Sequence, residues 1–314
     1  MKPKLAFPIP VTPEFNPGDL PENITKFLDL RYACDSGEQV LDLYLPEEKD
    51  RREGKKFPLI LYIHEGAFAF GSKRDKRAET LFEALKRGYA IASVDYRKSG
   101  EVTWPAPLYD IKTAVRFLRA HAERYALDEK KFAVWGMSAG AYYGSMAAVT
   151  NGLPGFEDPE TGFGRFDSSI QAAVDLCGAC SGFHLLDEMI RENGGENPTH
   201  DREDSPESIL MGGPLQEIRE LCRLAAPVTY VRETVPPFFI FHCIGDPVVP
   251  VQQSEKFAGA LRQSVGEKKV RLVLKEGAGD HGKPDYNTRE IVEEALDFLD
   301  EVFCVQKEAD ALPA

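Results

Sequence analysis

The feature that most restricts how this 314-residue chain can fold is a rhythm, in which short apolar, β-branched runs alternate with longer amphipathic ones along most of its length. The first kind fits strands buried on both faces and the second fits helices that cover them, so the rhythm is that of βα units around a mostly parallel sheet. Eight strands are predicted: Phe27 to Ala33, Val40 to Leu45, Leu59 to His64, Ala90 to Asp95, Phe132 to Gly136, Ile170 to Leu176, Phe238 to Cys243 and Val270 to Leu274. The segment between the first two holds Asp35, Ser36 and Gly37, which predicts an antiparallel hairpin at one edge. Helices are predicted over Arg77 to Lys86, Leu108 to Ala126, Ala139 to Thr150, Phe183 to Glu192, Leu215 to Leu224, Ser254 to Gln263 and Arg289 to Phe303. In the second of these, Ile111, Val115, Leu118 and Ala122 recur at helical spacing, so one face is expected on the sheet.

Two segments interrupt the rhythm: 151–169, rich in Gly and Pro, and 193–208, almost wholly polar. Both read as surface-loop insertions, with a pocket rim or lid and a plain solvated loop as equal alternatives. Residues 1–26, with Pro at 3, 8, 10, 13, 17 and 21, read as an N-terminal extension, and 1–314 as a single domain, since α/β domains often run past about 200 residues. Composition then removes whole classes of function. At 43% hydrophobic and 28% charged, the chain can fill a core and is not a disordered segment. Lys and Arg number 38 against 51 Asp and Glu, and a net charge of −13 repels polyphosphate, so neither nucleic acid nor an anionic membrane is an expected partner. No apolar run is long enough to span a bilayer, and the Pro-rich start lacks the apolar stretch of a signal peptide, so a cytoplasmic location is expected. The six cysteines are scattered and are expected to be reduced.

Chemistry enters where the strand Phe132 to Gly136 runs into Gly136-Met137-Ser138-Ala139-Gly140 and a helix follows at once. This is the G-x-S-x-G nucleophile elbow in its required strand–turn–helix setting, a sharp turn that exposes a serine hydroxyl between small neighbours. A serine hydroxyl is a weak nucleophile until a base takes its proton and a carboxylate orients that base. Of six histidines, His281 combines a loop after the last predicted strand with glycine neighbours, while His64, His121 and His242 lie in or at the ends of regular elements. The carboxylate that fits is Asp246, in the turn after Phe238 to Cys243, with Asp280 in reserve. For each partner the competing reading is an ordinary loop residue. Acyl transfer also needs donors for an oxyanion, and His64-Glu65-Gly66-Ala67-Phe68, which precedes the elbow in the chain, offers the amides of Gly66 and Ala67 beside that of Ala139.

His64 to Ser72, Asp95-Tyr96-Arg97, Trp104-Pro105-Ala106, Gly136 to Gly140 and Asp246 to Pro250 together resemble the α/β-hydrolase superfamily, and within it the esterases that include hormone-sensitive-lipase-like enzymes. Ser205 to Leu210, Gly212-Gly213-Pro214 and Ala226 to Tyr230 resemble the bacterial feruloyl and acetyl-xylan esterase branch in particular. The likeness, from about Leu41 to His281, implies an α/β-hydrolase fold with an eight-stranded, mostly parallel sheet and helices on both faces. It implies Ser138 as nucleophile, His281 as base, Asp246 as orienting acid and Gly66, Ala67 and Ala139 as oxyanion donors. The expected activity is hydrolysis of short-acyl or aromatic-acyl esters, acetyl or feruloyl esters of small carbohydrates first among them, with no cofactor and no metal. Glu65, Phe68 and Trp104 are expected to bind substrate; Phe70 and Tyr96 read as part of the same aromatic rim, and for Phe68, Phe70 and Tyr96 a place in the core under the loops is an equal alternative. Glu65 departs from the family's usual glycine, and either bonds a substrate hydroxyl or fixes the neighbouring loop; Ile244 stands where relatives often carry an acid. A small-molecule ester is the expected partner, and a homodimer is compatible with the sequence.

Three alternatives remain. An aryl formamidase or peptidase-type amidase would use the same residues, and a non-catalytic binding protein would share the fold. Gly178-Ala179-Cys180-Ser181-Gly182 is a cysteine version of the elbow, but it follows the sixth strand where the family's nucleophile follows the fifth. No metal-ligand spacing and no helix-opening G-x-G-x-x-G are present in the sequence.

Overall fold

The strands form one eight-stranded sheet in the order β1-β2-β4-β3-β5-β6-β7-β8. The computed structural model describes residues 5, 8–47, 54–157, 162–277, 281, 286 and 288–305. β1 (Thr25–Arg31) and β2 (Val40–Leu45) pair antiparallel, and β2 runs antiparallel to β4 (Ala90–Val94). From there the ladder is parallel: β4 with β3 (Phe57–Ile63), β3 with β5 (Leu127–Met137), then β6 (Ala172–Leu176), β7 (Phe238–Cys243) and β8 (Val270–Lys275) in turn. β3, β4, β6 and β7 are buried along their whole length, which is why they read as continuous apolar runs and not as alternations.

Among the described residues, eight α-helices connect and flank these strands: α1 (Glu83–Lys86), α2 (Ala106–Ala120), α3 (Ala139–Val149), α4 (Leu186–Glu192), α5 (Pro206–Met211), α6 (Arg219–Leu224), α7 (Gln252–Val265) and α8 (Arg289–Phe303). One face of the sheet packs on α2, α3 and α7 through Leu108, Ile111, Val115, Tyr142, Met146 and Leu261. The other packs on α1 and α8 through Leu85, Ile291, Leu296, Leu299 and Phe303, against Trp135 and Phe239 of the sheet. Helices on both faces of a mostly parallel sheet are the doubly covered arrangement that the alternating sequence demands.

Differences from the sequence reading are local. The helix expected to run to Ala126 ends at Ala120, and the chain turns through residues 121–126 with Ala126 at φ +53°, while Ala122 and Tyr125 still point into the core. β5 begins five residues before Phe132, because Leu127 pairs with Phe57 across the ladder. The segment 193–208 is not loop throughout: α5 starts inside it, with the Ser205 side chain accepting from Ser208 N at 3.0 Å, Pro206 in the first turn and Gly212 left-handed at the end. Asp187 of α4 accepts the backbone amides of His200 and Asp201 at 2.9 and 3.1 Å, which ties the loop to the body.

Candidate active site

Ser138 sits between the end of β5 and the start of α3 with φ +52° and ψ −120°, a conformation an L-residue adopts only under constraint. Its amide donates to Leu176 O on β6 at 2.8 Å, and its carbonyl accepts from Tyr142 N at 3.0 Å, so strand and helix each hold one side of the turn. A β-carbon on Gly140 would lie 2.0 Å from Ile63 O, and one on Gly136 would lie 2.2 Å from the Gly140 carbonyl carbon. The two glycines let α3 start against β3, and the elbow is the consequence. Beneath it, the buried Asp175 accepts from Ser145 Oγ at 2.6 Å, Gly178 N at 2.8 Å and Cys180 Sγ at 3.0 Å, fastening α3 to β6.

The loops after β5, β7 and β8 bring Ser138, Asp246 and His281 together. His281 Nε2 is 2.7 Å from Ser138 Oγ, and Nδ1 is 2.8 Å from Asp246 Oδ2. Asp246 Oδ1 accepts from the amides of Val248 and Val249, each at 2.9 Å, and Oδ2 also accepts from the Tyr286 hydroxyl at 2.5 Å. Burial works to raise the Asp246 carboxyl, but His281 and Tyr286 outweigh it and hold it below its ordinary value. Tyr286 escaped the sequence reading; a lone aromatic in a polar stretch carries no pattern to find it by. Asp280, the reserve acid, lies outside the described residues.

The segment 64–68, expected to supply oxyanion donors, is shaped by its own backbone. His64, buried and kept neutral by burial that lowers its pKa to about 3, points Nδ1 at Glu65 O, 2.6 Å away. Gly66, Ala67 and Phe68 all have positive φ, and Gly66 O receives the amides of Ala69 and Phe70 at 2.9 and 3.0 Å. This curls the segment around a concave cavity of about 160 Å³ lined by Glu65, Gly66, Ala67, Phe68, Ser138, Ala139 and His281 among others. Ala139 opens α3, so its amide belongs to the helix's unpaired first turn.

The expected substrate residues fare differently. Phe68 lines the cavity and packs edge-on against Tyr142, Tyr143 and Phe183. Glu65 lines it too, but its carboxylate is ion-paired with Arg77 and receives the Tyr62 hydroxyl at 3.2 Å, contacts that tie the oxyanion segment to the chain after Asp75. Trp104 corrects an expectation. It packs on the main core and edge-on to Phe156 at 6.5 Å, with its amide bonded to Leu210 O, and is not among the residues around the cavity. Tyr96 is wholly buried, stacked on the His64 ring, and not at a rim.

Cys180, the elbow look-alike, is inaccessible, and burial beside Asp175 drives its thiol well above the usual range, which disfavours a nucleophilic thiolate. Among the described residues, Cys177 Sγ, Asp246 and His281 form a group whose possible metal-ligating atoms lie within 4.8 Å of one another. Its carboxylate and imidazole are already bonded to each other, so the residue types are compatible with a metal but the bonding is not that of a vacant donor set. No helix among the described residues is long and apolar enough to cross a membrane.

A strand–elbow–helix with its serine over the carboxyl ends of a doubly covered, mostly parallel sheet defines the α/β-hydrolase fold. The chain belongs to the BD-FAE family, whose model matches residues 41–261. It is 29% identical over 236 residues to the esterase LipQ of Mycobacterium tuberculosis, an alignment that covers 75% of this chain and 52% of that protein. The chain spans about half the length of the curated relatives it matches first. Among solved structures, a truncated carbohydrate esterase from gut microbiota superposes with a TM-score of 0.76 at 26% identity, covering 88% of this chain and 96% of that one. A bifunctional GH43-CE protein of Bacteroides eggerthii superposes with a TM-score of 0.75 at 26% identity, over 88% of this chain and 38% of that one.

Proposed function

We propose that this chain is a serine carboxylesterase acting on acetyl or feruloyl esters of small carbohydrates, with Ser138 as nucleophile, His281 as general base and acid, and Asp246 as the orienting carboxylate. The observation that carries the reading is the unbroken run of hydrogen bonds from Ser138 Oγ through His281 to Asp246, opening into a concave cavity. His281 Nε2 takes the serine proton as Oγ attacks the ester carbonyl, and the amides of Gly66, Ala67 and Ala139 receive the oxyanion. The ring then hands its proton to the departing alcohol and activates the water that hydrolyses the acyl-enzyme. Asp246, with its four donors, holds the ring with Nδ1 protonated throughout. The family and the carbohydrate-esterase neighbours support this substrate class, and a catalytic cavity of about 160 Å³ favours acetyl over feruloyl.

The test is initial-rate hydrolysis of nitrophenyl acetate, butyrate and octanoate, methyl ferulate, an acetylated xylo-oligosaccharide and formylkynurenine by wild type and Ser138→Ala. Turnover that depends on Ser138 and favours acetyl esters is expected. Preference for formylkynurenine would make the protein an amidase, and full activity in Ser138→Ala would remove the mechanism.

A further inference from the structure

Beside the catalytic cavity lies a larger one of about 870 Å³, and the two share Ala67, Glu207 and Val248. The two cavities thus adjoin where residues 66–68 face the start of α5. Part of that space is walled by Gly245, Asp246, Pro247 and Val248, the turn that backs His281, and part by the 193–200 stretch. The leaving oxygen of an ester must lie within reach of His281, which lines the small cavity, so an alcohol too large for that cavity has the adjoining larger space to extend into. The small cavity, below the range of about 300–1,000 Å³ that drug-sized ligands occupy, is left for a short acyl group.

Glu207 stands at the join. It is the second residue of α5 and 8% exposed, and its Oε2 lies 3.2 Å from His200 Nδ1. Burial works to strip the His200 proton, but Glu207, Asp187 and the Val248 carbonyl raise the ring to about 9, which favours its charged form beside Glu207. A carboxylate only accepts hydrogen bonds, at about four lone-pair sites, and His200 stands at ion-pair distance from Oε2 without supplying it a hydrogen bond. Such a group, shielded from water and with a basic ring 3.2 Å away, suits hydroxyl donors better than cations.

We propose that the larger cavity is the alcohol subsite, and that Glu207, positioned by His200, accepts hydrogen bonds from the hydroxyls of a polyhydroxylated leaving group such as a sugar unit. This rests on the esterase reading and adds which residue selects the alcohol. An apolar alcohol would leave the buried carboxylate, ion-paired with His200, short of hydrogen-bond donors, which is how a polar site rejects an analogue that lacks the hydroxyl.

The experiment compares two acetyl esters with the same three-carbon alcohol skeleton, glyceryl 1-acetate and propyl acetate, in wild type, Glu207→Gln and Ser138→Ala. Wild type is expected to favour the glyceryl ester by about tenfold or more in kcat/KM, mainly through KM, and Glu207→Gln to bring the ratio below about twofold. The ratio is the readout because a displaced loop or a poorly folded variant lowers both rates together. A wild-type ratio near one, or a ratio that Glu207→Gln leaves unchanged, overturns the proposal while Ser138-dependent hydrolysis of propyl acetate keeps the esterase reading intact. Hydrolysis that is absent, or that survives Ser138→Ala, overturns the esterase reading itself. Should Glu207→Gln not fold, inhibition of wild-type propyl acetate hydrolysis by free xylobiose but not by an alkanol supports the subsite, and equal inhibition by both overturns it.

Discussion

Replacing Tyr286 with phenylalanine removes one oxygen and tests the support of Asp246. That hydroxyl donates to Asp246 Oδ2 at 2.5 Å and accepts from Cys243 N at 3.2 Å, with Tyr286 wholly buried. A hydrogen bond to a charged group contributes about 1.5–3 kcal/mol, and the stranded amide of Cys243 adds about 1 kcal/mol, so the fold should lose roughly 3 kcal/mol. At this chain length that is a fall in Tm of roughly 5 °C, read by thermal unfolding at pH 7. Three of the four donors to the carboxylate remain, His281 among them, so kcat/KM on nitrophenyl acetate should fall by only about threefold to tenfold. Asp246→Asn should lose about 10⁴, because an amide holds the ring in the wrong tautomer. The sign of the pH dependence follows from the depressed carboxyl. Its bonds stabilise the fold in full above the ordinary aspartate value of 3.8 and are lost as pH falls through the lower folded value, so the gap between wild type and variant narrows below 3.8. A Tm within about 1 °C of wild type, or a rate loss as deep as that of Asp246→Asn, would refute the reasoning.

Gly140→Ala should destabilise the protein by about 3 kcal/mol and lower activity, because the new methyl meets Ile63 O at 2.0 Å and must push α3 off β3; wild-type Tm and rate would show the approach to be looser than described. Ser138→Gly and Ser138→Ala should both be inactive, with the glycine variant about 1 kcal/mol more stable because it alone adopts φ +52° without strain; equal denaturant midpoints would mean the elbow stores none. Burial, opposed by Arg77 and joined by Asp75, pushes the Glu65 carboxyl up to about 7. Its stabilising effect is thus full below 4.5 and lost as pH rises through 7, and Glu65→Gln should gain on wild type across that window at up to about 1.4 kcal/mol per pH unit; parallel stability curves would contradict this.

What was legible in the sequence followed from pattern length. β2, β7 and α8 have the bounds their apolar runs suggest, since each run is several residues long and ends at residues that break it. The start of β5, Leu127-Asp128-Glu129-Lys130-Lys131, is strand because it pairs with β3, and its charged residues carry no sign of that. α5 is six residues long, too short for periodicity, although Ser205, Pro206 and Gly212 mark its ends. The elbow was readable because its constraint is local: a serine between glycines at a strand–helix junction. Its chain order with Asp246 and His281 was readable from the strands each follows. The grip of Tyr286 on Asp246 and of Arg77 on Glu65 depends on side chains 40 and 12 residues away, and Trp104 was misplaced because its position is set by Leu210 and Phe156, far along the chain.

The strand order carries a further consequence for how the molecule loses function. Ser138 follows β5, flanked on both sides, whereas His281 follows β8, which among the described residues has a hydrogen-bonded neighbour on one side only and is half-exposed along much of its length. Marginal elements of this kind open before the interior of a domain does. Peeling of that outer strand carries His281 away from a Ser138 that stays in place, so in rising denaturant turnover should cease while most of the sheet is still assembled.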